Sequence, residues 1–412
     1  MAIRVDFRLL AIKCLTIALT LLVGFGFVEA VLRAFPSLIG LSILARMEPT
    51  IRSEIADRLG LPTLEDAIKI TPDMRTDGGP TIVLPAANSL TYLYADKVDL
   101  DLGAVELVRV DENGLCNDPQ KAALKKADIL VAGDSFTFCT GVTANNTATH
   151  KLEEISGLSV YNLGVRGVGP DEYLEMLKRY APQFNPRIAI MNVYEGNDLR
   201  DVLIKERFVE SGGTSKKDPE PSTPAWSYAA QFFKAGAMIA VKYVNREILG
   251  NEDRNFRYAA PVGGSMMAMN VANRDQGEVD RAMELRDGKI KVDAFAKSLM
   301  DFVAWAKPKG IAPVVTYIPS MYTVYEGTVR FENPEVGSAV QSFSTAQRRW
   351  FAANAAAIGF TYLDLTPFFQ QAGSAGIITH FPSNVHLTPK GHEIVARHTW
   401  EALSKLAPPL TP

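Results

Sequence analysis

From residue 121 onward, short apolar runs alternate with stretches whose apolar positions recur at helical spacing. The runs Ile129 to Ala132, Leu158 to Leu163, Arg187 to Val193, Ala312 to Ile318 and Phe360 to Leu365 read as strands. Between them lie helical segments at Thr147 to Ile155, Pro170 to Ala181, Val292 to Ala306, Ser344 to Ile358 and Pro389 to Leu406. Pro170 is pre-organised for a first helical turn, and Asp171 and Glu172 suit the positive end of the helix dipole. In Val292 to Ala306, Phe295, Leu299, Phe302, Val303 and Ala306 share one face. About five strands alternating with helices predict a three-layer α/β fold, a mostly parallel sheet with helices on both faces. Ligands bind such sheets at the carboxyl ends of the strands.

Two regions break the rhythm. Residues 36 to 120 carry short mixed signals, with strand-like alternation in TIVLP and AVELVRV and a turn at Glu112-Asn113-Gly114. They read as a lead-in segment packing on a main domain at 121 to 412. Residues 205 to 290 read as an insertion in that domain, lying over the sheet. Within it, 211 to 224 is a polar Pro/Gly/Ser-rich loop, and Ala225 to Leu249 is a helix with Phe232, Phe233, Ile239 and Val244 available for packing.

The N-terminus has another pattern. Cys14 to Val28 carries no charge, and from Leu9 to Phe35 the apolar stretch is long enough to span a bilayer. Lys13 can lift its ammonium to the headgroups. Arg4, Arg8 and Lys13 precede the stretch and favour a cytoplasmic N-terminus, against Arg33, Arg46 and Arg52 behind it. Residues 1 to 35 therefore read as a single-pass anchor in the cytoplasmic membrane with the remaining chain outside. A cleaved signal peptide is the rival, with Val28-Glu29-Ala30 as a poor cleavage site.

Composition narrows the function classes. The 412 residues carry a net charge of −3 and 47% hydrophobic residues, as ordinary folded proteins do. No basic excess points to nucleic acid, and no GxxxxGK[ST] or GxGxxG loop points to a nucleotide. His380, His386, His392 and His398 recur every six residues, which scatters them around a helix and argues against a metal site. Of the three cysteines, Cys14 lies in the anchor; Cys116 and Cys139 lie in the exported part, where a disulfide persists. A bridge and two buried free thiols both suit the sequence.

Four polar pieces stand in order after strands or before the last helix: Gly133-Asp134-Ser135, Asn162-Leu163-Gly164-Val165-Arg166-Gly167, Glu195-Gly196-Asn197-Asp198 and Asn384-Val385-His386. Ester cleavage needs a nucleophile, a base and donors for the developing oxyanion. Ser135 and His386 fit the first two roles. Backbone N–H groups and the Asn197 amide fit the third. Taken singly, each has a blander reading: Ser135 as a helix cap, Gly167 and Asn197 as turn residues, His386 as a helix start. Asp198, Arg200 and Asp201 read either as a solvated turn or as the rim of a cleft.

Together these pieces resemble the SGNH (GDSL-type) hydrolase family over residues 110 to 405, and within it a bacterial membrane-anchored, exported subgroup. The resemblance implies a flavodoxin-like sheet and no cofactor. It implies Ser135 as nucleophile, His386 as base, and Ser135 N–H, Gly167 N–H and the Asn197 amide as the oxyanion hole. Gly164 and Gly169 compete for the glycine role, and Asp134 and Asp198 read as supporting residues. The missing second glycine after Ser135 excludes the GxSxG nucleophile elbow.

One departure stands out. The family places an Asp two or three residues before the histidine, where this chain has Asn384 and Ser383. Asn384 can orient the ring, as in Cys-His-Asn sites, without supplying charge. Asp364 is a distant substitute, and a plain Ser-His dyad is the third arrangement. The expectation is an esterase acting on acyl esters, O-acetyl among them, of carbohydrate or lipid. The alternatives are an O-acyltransferase on cell-surface polysaccharide using the same site, and a non-catalytic envelope-binding module.

Overall fold

The computed structural model describes the chain except for residues 1–6, 45, 61–67, 70–82, 85–89, 95–104, 119–120, 122–123, 204–225, 245–259, 263–264, 268, 272–277, 328, 332, 382–383 and 406–412. The polar loop expected at 211 to 224 and the carboxyl end of the helix expected up to Leu249 lie outside the described residues. The chain divides into two compact units, Met1–Leu64 with Lys217–Val244, and Glu65–Lys216 with Asn245–Pro412. The expected boundaries at 35 and 120 are not where this division falls. Residues 36–64 and part of the 205–290 block belong with the N-terminal helix.

In the first unit the helix Phe7–Ala34 leads to a helix at Pro49–Arg58. Within the former, Ile12–Ala34 has a mean hydropathy of 2.2 and is almost wholly exposed, as a membrane span or a signal sequence would be. The helix Tyr228–Tyr243 packs with Phe7–Ala34 and with the short helix Leu41–Leu44, its start capped by Ser227, whose side chain accepts from Ala230 N–H.

The second unit is built on five parallel strands: β1 (Ile129–Gly133), β2 (Val160–Asn162), β3 (Ile188–Tyr194), β4 (Ala312–Ile318) and β5 (Thr361–Asp364). Their order in the sheet is β2-β1-β3-β4-β5. Strand parity sorts the apolar residues between two cores. Ile129, Val131, Ile188, Ile190 and Val314 face one side, with Leu152, Ala396 and Leu403 from the helices Ala148–Ser156 and Pro389–Leu403. Leu130, Ala132, Ala189, Met191, Val193, Val315 and Tyr317 face the other, against Pro170–Phe184, Phe295–Ala306 and Pro334–Ile358. Both faces of the sheet are thus covered, which is why its central strands are apolar on both sides, apart from the hydrogen-bonded Asn192 and Thr316, rather than alternating.

Some elements exceed the sequence pattern. The helix expected from Ser344 starts at Pro334, where Asn333 accepts from Glu335 N–H; Gly337 and a Ser/Gln-rich stretch hide its apolar period. Helices at Glu278–Arg286 and Thr366–Ser374, and the hairpin of β6 (His380–Phe381) and β7 (Asn384–Leu387), were not expected. They are too short to show a period. The segments 81–85 and 104–110 do contain strands: Val83–Leu84 pairs with Ile68–Lys69, and Val105–Arg109 with Leu90–Tyr94, both antiparallel.

Cys116 and Cys139 are joined in a disulfide with Cα atoms 5.9 Å apart. It is buried with Val110, Phe138, Val142 and Phe381, so it ties the segment before β1 to the segment after it and packs against the β6–β7 hairpin. Closing a loop of 23 residues' separation is worth about 3 kcal/mol through the unfolded state. Urea unfolding of the Cys116→Ser/Cys139→Ser variant is expected to show a loss of that order, matched by the reduced wild-type protein.

Candidate active site

In a sheet ordered 2-1-3-4-5, successive crossovers leave β1 in opposite directions, and a crevice opens between the carboxyl ends of β1 and β3. Gly133-Asp134-Ser135 follows β1, and Gly196-Asn197-Asp198 follows β3, so both pieces stand at this switch point. The rise of β1 ends at Gly133 because a side chain there would strike Thr137 Oγ1 and Asn192. The chain then turns, with Thr137 N–H and Phe138 N–H donating to Asp134 O. Asp134, fully buried, also accepts from Phe136 N–H through its side chain at 2.8 Å. Asp134 therefore takes the capping role that Ser135 might have filled, and Ser135 Oγ lies 2.8 Å from His386 Nε2.

His386 comes from β7, just before the last helix. Thr388 fixes the junction: its N–H donates to Thr379 O, its Oγ1 donates to Ile378 O at 2.7 Å, and Oγ1 accepts from Gly391 N–H. Phe136 stacks on the imidazole at 4.8 Å between ring centres and on Tyr194 with its other face. The residue after the serine thus orients the ring that the serine meets. Burial, with the Arg166 charge adding to it, pushes the His386 pKa down to about 4.

The glycine rivals separate. Gly164 N–H donates to Asn162 Oδ1 at 2.8 Å, and a Cβ on Gly164 would lie 2.4 Å from Phe138 N. Gly169 N–H donates to Glu172 Oε2. Both are occupied with holding the loop and the start of the Pro170 helix. Gly167 has φ +71°, and nothing lies within 4 Å of where its Cβ would stand. Behind this loop, Asn162 Nδ2 donates to Thr137 O and to Thr149 Oγ1, tying the β2 loop to the turn that carries Ser135. Asn162 entered the sequence reading only as the start of a block, although a polar residue ending a buried strand was the available signal.

Asn197 is placed against carboxylates. Its Nδ2 donates to Asp134 Oδ2 at 3.0 Å and to Asp201 Oδ2 at 2.9 Å, and its Oδ1 is buried with no partner among the described residues. Turning the amide over would set that oxygen against two carboxylates, so this orientation follows from charge. Asp201 is also held by Arg200 Nε at 2.7 Å. Asp198, fully buried, accepts from Tyr173 OH and Tyr194 N–H and so holds the turn. Burial raises the pKa values of Asp134, Asp198 and Asp201, and repulsion from neighbouring carboxylates adds to it at Asp134 and Asp198. Asp198, Arg200 and Asp201 are a hydrogen-bonded network at the crevice rather than a solvated turn.

Asp364 does not serve His386. Its carboxylate accepts from Arg348 Nε at 2.7 Å and caps the helix after β5 through Thr366 N–H. Asn384 pairs with Phe381 across the hairpin, and its side chain, like Ser383, lies outside the described residues. His380 and His392 are separately buried, the latter accepting from Ala148 N–H. No group of three or more possible metal ligands occurs among the described residues.

The sheet order, the crevice at its switch point and the four motif pieces around it make one arrangement. This is the arrangement that the sequence resemblance to the SGNH (GDSL-type) hydrolases implies. No family model matches the chain, and no curated protein matches it by sequence. Solved SGNH-type structures resemble it remotely. A putative lipolytic protein of the G-D-S-L family from Desulfitobacterium hafniense is 14% identical with a TM-score of 0.35, covering 67% of this chain and 99% of its own. An extracellular lipase from Streptomyces rimosus is 12% identical with a TM-score of 0.38, over 67% and 99%. An acetylxylan esterase from Geobacillus stearothermophilus is 11% identical with a TM-score of 0.32, over 68% and 95%.

Burial holds the His386 imidazole neutral, so protonation reaches it only in acid. The acid limb of kcat/KM for an ester is expected near pH 4, well below the ordinary histidine value of about 6.5. A limb at 6.5 would mean that the imidazole is solvated or charge-paired in the working enzyme.

Proposed function

We propose that the protein is a serine esterase, anchored in the cytoplasmic membrane by its N-terminal helix, that cleaves acyl esters of carbohydrate or lipid on the outer side. The observation that carries the catalytic reading is Ser135 Oγ at 2.8 Å from His386 Nε2, at the switch point, with Asp134 taking the cap. Ser135 attacks the ester carbonyl while His386 Nε2 takes its proton. The tetrahedral intermediate collapses as His386 returns that proton to the leaving alcohol. Water then attacks the acyl-Ser135, with His386 again as base.

The developing oxyanion needs donors. Ser135 N–H and Gly167 N–H are the proposed backbone donors, because Gly164 and Gly169 have their N–H groups engaged. Asn197 contributes by moving one N–H from a carboxylate to the oxyanion. Asp201 is the one to release it, since Arg200 continues to neutralise Asp201.

The base works as a dyad or with Asn384 behind it. The membrane reading is supported by the exposed apolar span and by Glu29 within it. Glu29 accepts from Ser227 Oγ, Tyr228 N–H and Ala229 N–H, contacts that cleavage near Ala30 would remove.

An active-site phosphonate is expected to label wild-type protein at Ser135 and to leave Ser135→Ala unlabelled, with ester turnover lost in parallel. Absent labelling, with turnover indifferent to Ser135→Ala, would leave a non-catalytic binding module as the reading. Acyl transfer to an added oligosaccharide, in place of free acid, would assign the same site to a transferase. Asn197→Ala is expected to lower kcat by about 10²-fold with little change in KM, as loss of one oxyanion donor does. An unchanged kcat would remove Asn197 from the hole.

A further inference from the structure

We infer that the Tyr228–Tyr243 helix is a second lipid-facing element, lying beside the N-terminal helix in the same bilayer. The protein would then hold the membrane by two segments far apart in sequence. This rests on the anchor reading of the N-terminal helix. At 1.5 Å per residue its 16 residues span about 24 Å, short of the ~30 Å hydrocarbon core. It is therefore an inserted or interfacial helix and not a second crossing.

The exposure pattern is the first support. Tyr228, Gln231 and Ala235 form a buried stripe against the rest of the unit. The opposite side carries Phe233 at 51% exposure, Met238 at 52% and Val241 at 58%, with Ala237 and Ala240 between them. A water-facing helix turns its polar residues outward. Here Lys234 is the one charge on that side among the described residues, and its stem can carry the ammonium to the headgroups.

Continuity with the anchor is the second support. Phe233 lies 6.3 Å, ring centre to ring centre, from Phe25, inside the apolar span Ile12–Ala34. Polar contacts gather at one end only. Glu29 receives the first N–H groups of the helix, Arg33 Nε donates to Glu29 at 2.6 Å, and the Arg33 guanidinium lies 4.6 Å over the Tyr228 ring. Trp226, 70% exposed, stands at the same end. Charges and an exposed tryptophan at one level, with Phe233, Met238 and Val241 exposed beyond it, mark an interface and a direction of entry. A glutamate inside an apolar span is costly unless paired, and here it is fully engaged.

Nitroxide accessibility in proteoliposomes tests this. The full chain with Cys14→Ser is labelled at Phe233→Cys or Met238→Cys, with Leu19→Cys marking the anchor and Lys309→Cys marking water. Vesicles of phosphatidylcholine and phosphatidylglycerol are probed with oxygen and with a water-soluble nickel chelate. At positions 233 and 238 the oxygen-to-nickel ratio is expected to rise severalfold above that at 309 and to approach that at 19. High nickel accessibility at 233 and 238, with position 19 in lipid, would overturn this inference alone. Exclusion of both reagents there would mean that protein, such as a second copy of the chain, covers the face, and would also overturn it. High nickel accessibility at position 19 would overturn the anchor reading and this inference together.

Discussion

The hydrogen bond from Phe136 N–H to the buried Asp134 carboxylate decides what Ser135 can be. A serine after a buried strand ordinarily spends its hydroxyl on the turn that follows. Here the preceding aspartate satisfies that turn, so Ser135 Oγ is left to face His386. The same carboxylate takes a proton of the Asn197 amide, so the pieces after β1 and β3 are bound through one buried group. Burying that group is costly, and it is tolerated because its acceptor positions are filled.

Around this contact the site is held by packing more than by charge. Phe136 lies between Tyr194 and the imidazole, Asn162 ties the β2 loop to the Ser135 turn, and the disulfide packs against Phe381 of the hairpin that carries His386. The histidine is kept neutral by burial, which suits a general base. The ring is oriented by stacking and by the strand that carries it.

The first unit shows a related economy. Glu29 would be a defect in an isolated apolar helix. Paired with Arg33 and placed at the start of the Tyr228–Tyr243 helix, it becomes the joint between two elements nearly 200 residues apart in sequence.

Much of the second unit was legible in the sequence, because strand and helix periods are local. The apolar runs from Ile129 to Leu365 located all five sheet strands, and the motif pieces picked out Ser135, Asn197 and His386 as candidates. Elements too short to show a period, such as the β6–β7 hairpin, were hidden, as was the start of the Pro334–Ile358 helix behind Gly337 and its polar neighbours. Sequence alone could not choose among Gly164, Gly167 and Gly169, because the difference lies in whether the side chains of Asn162 and Glu172 turn back to take an N–H. Nor could it show that Asp364 belongs to Arg348, that Asn197 faces two carboxylates, or that residues 217–244 fold with the N-terminal helix. Those are contacts between distant segments, and only the tertiary structure brings the segments within hydrogen-bonding range.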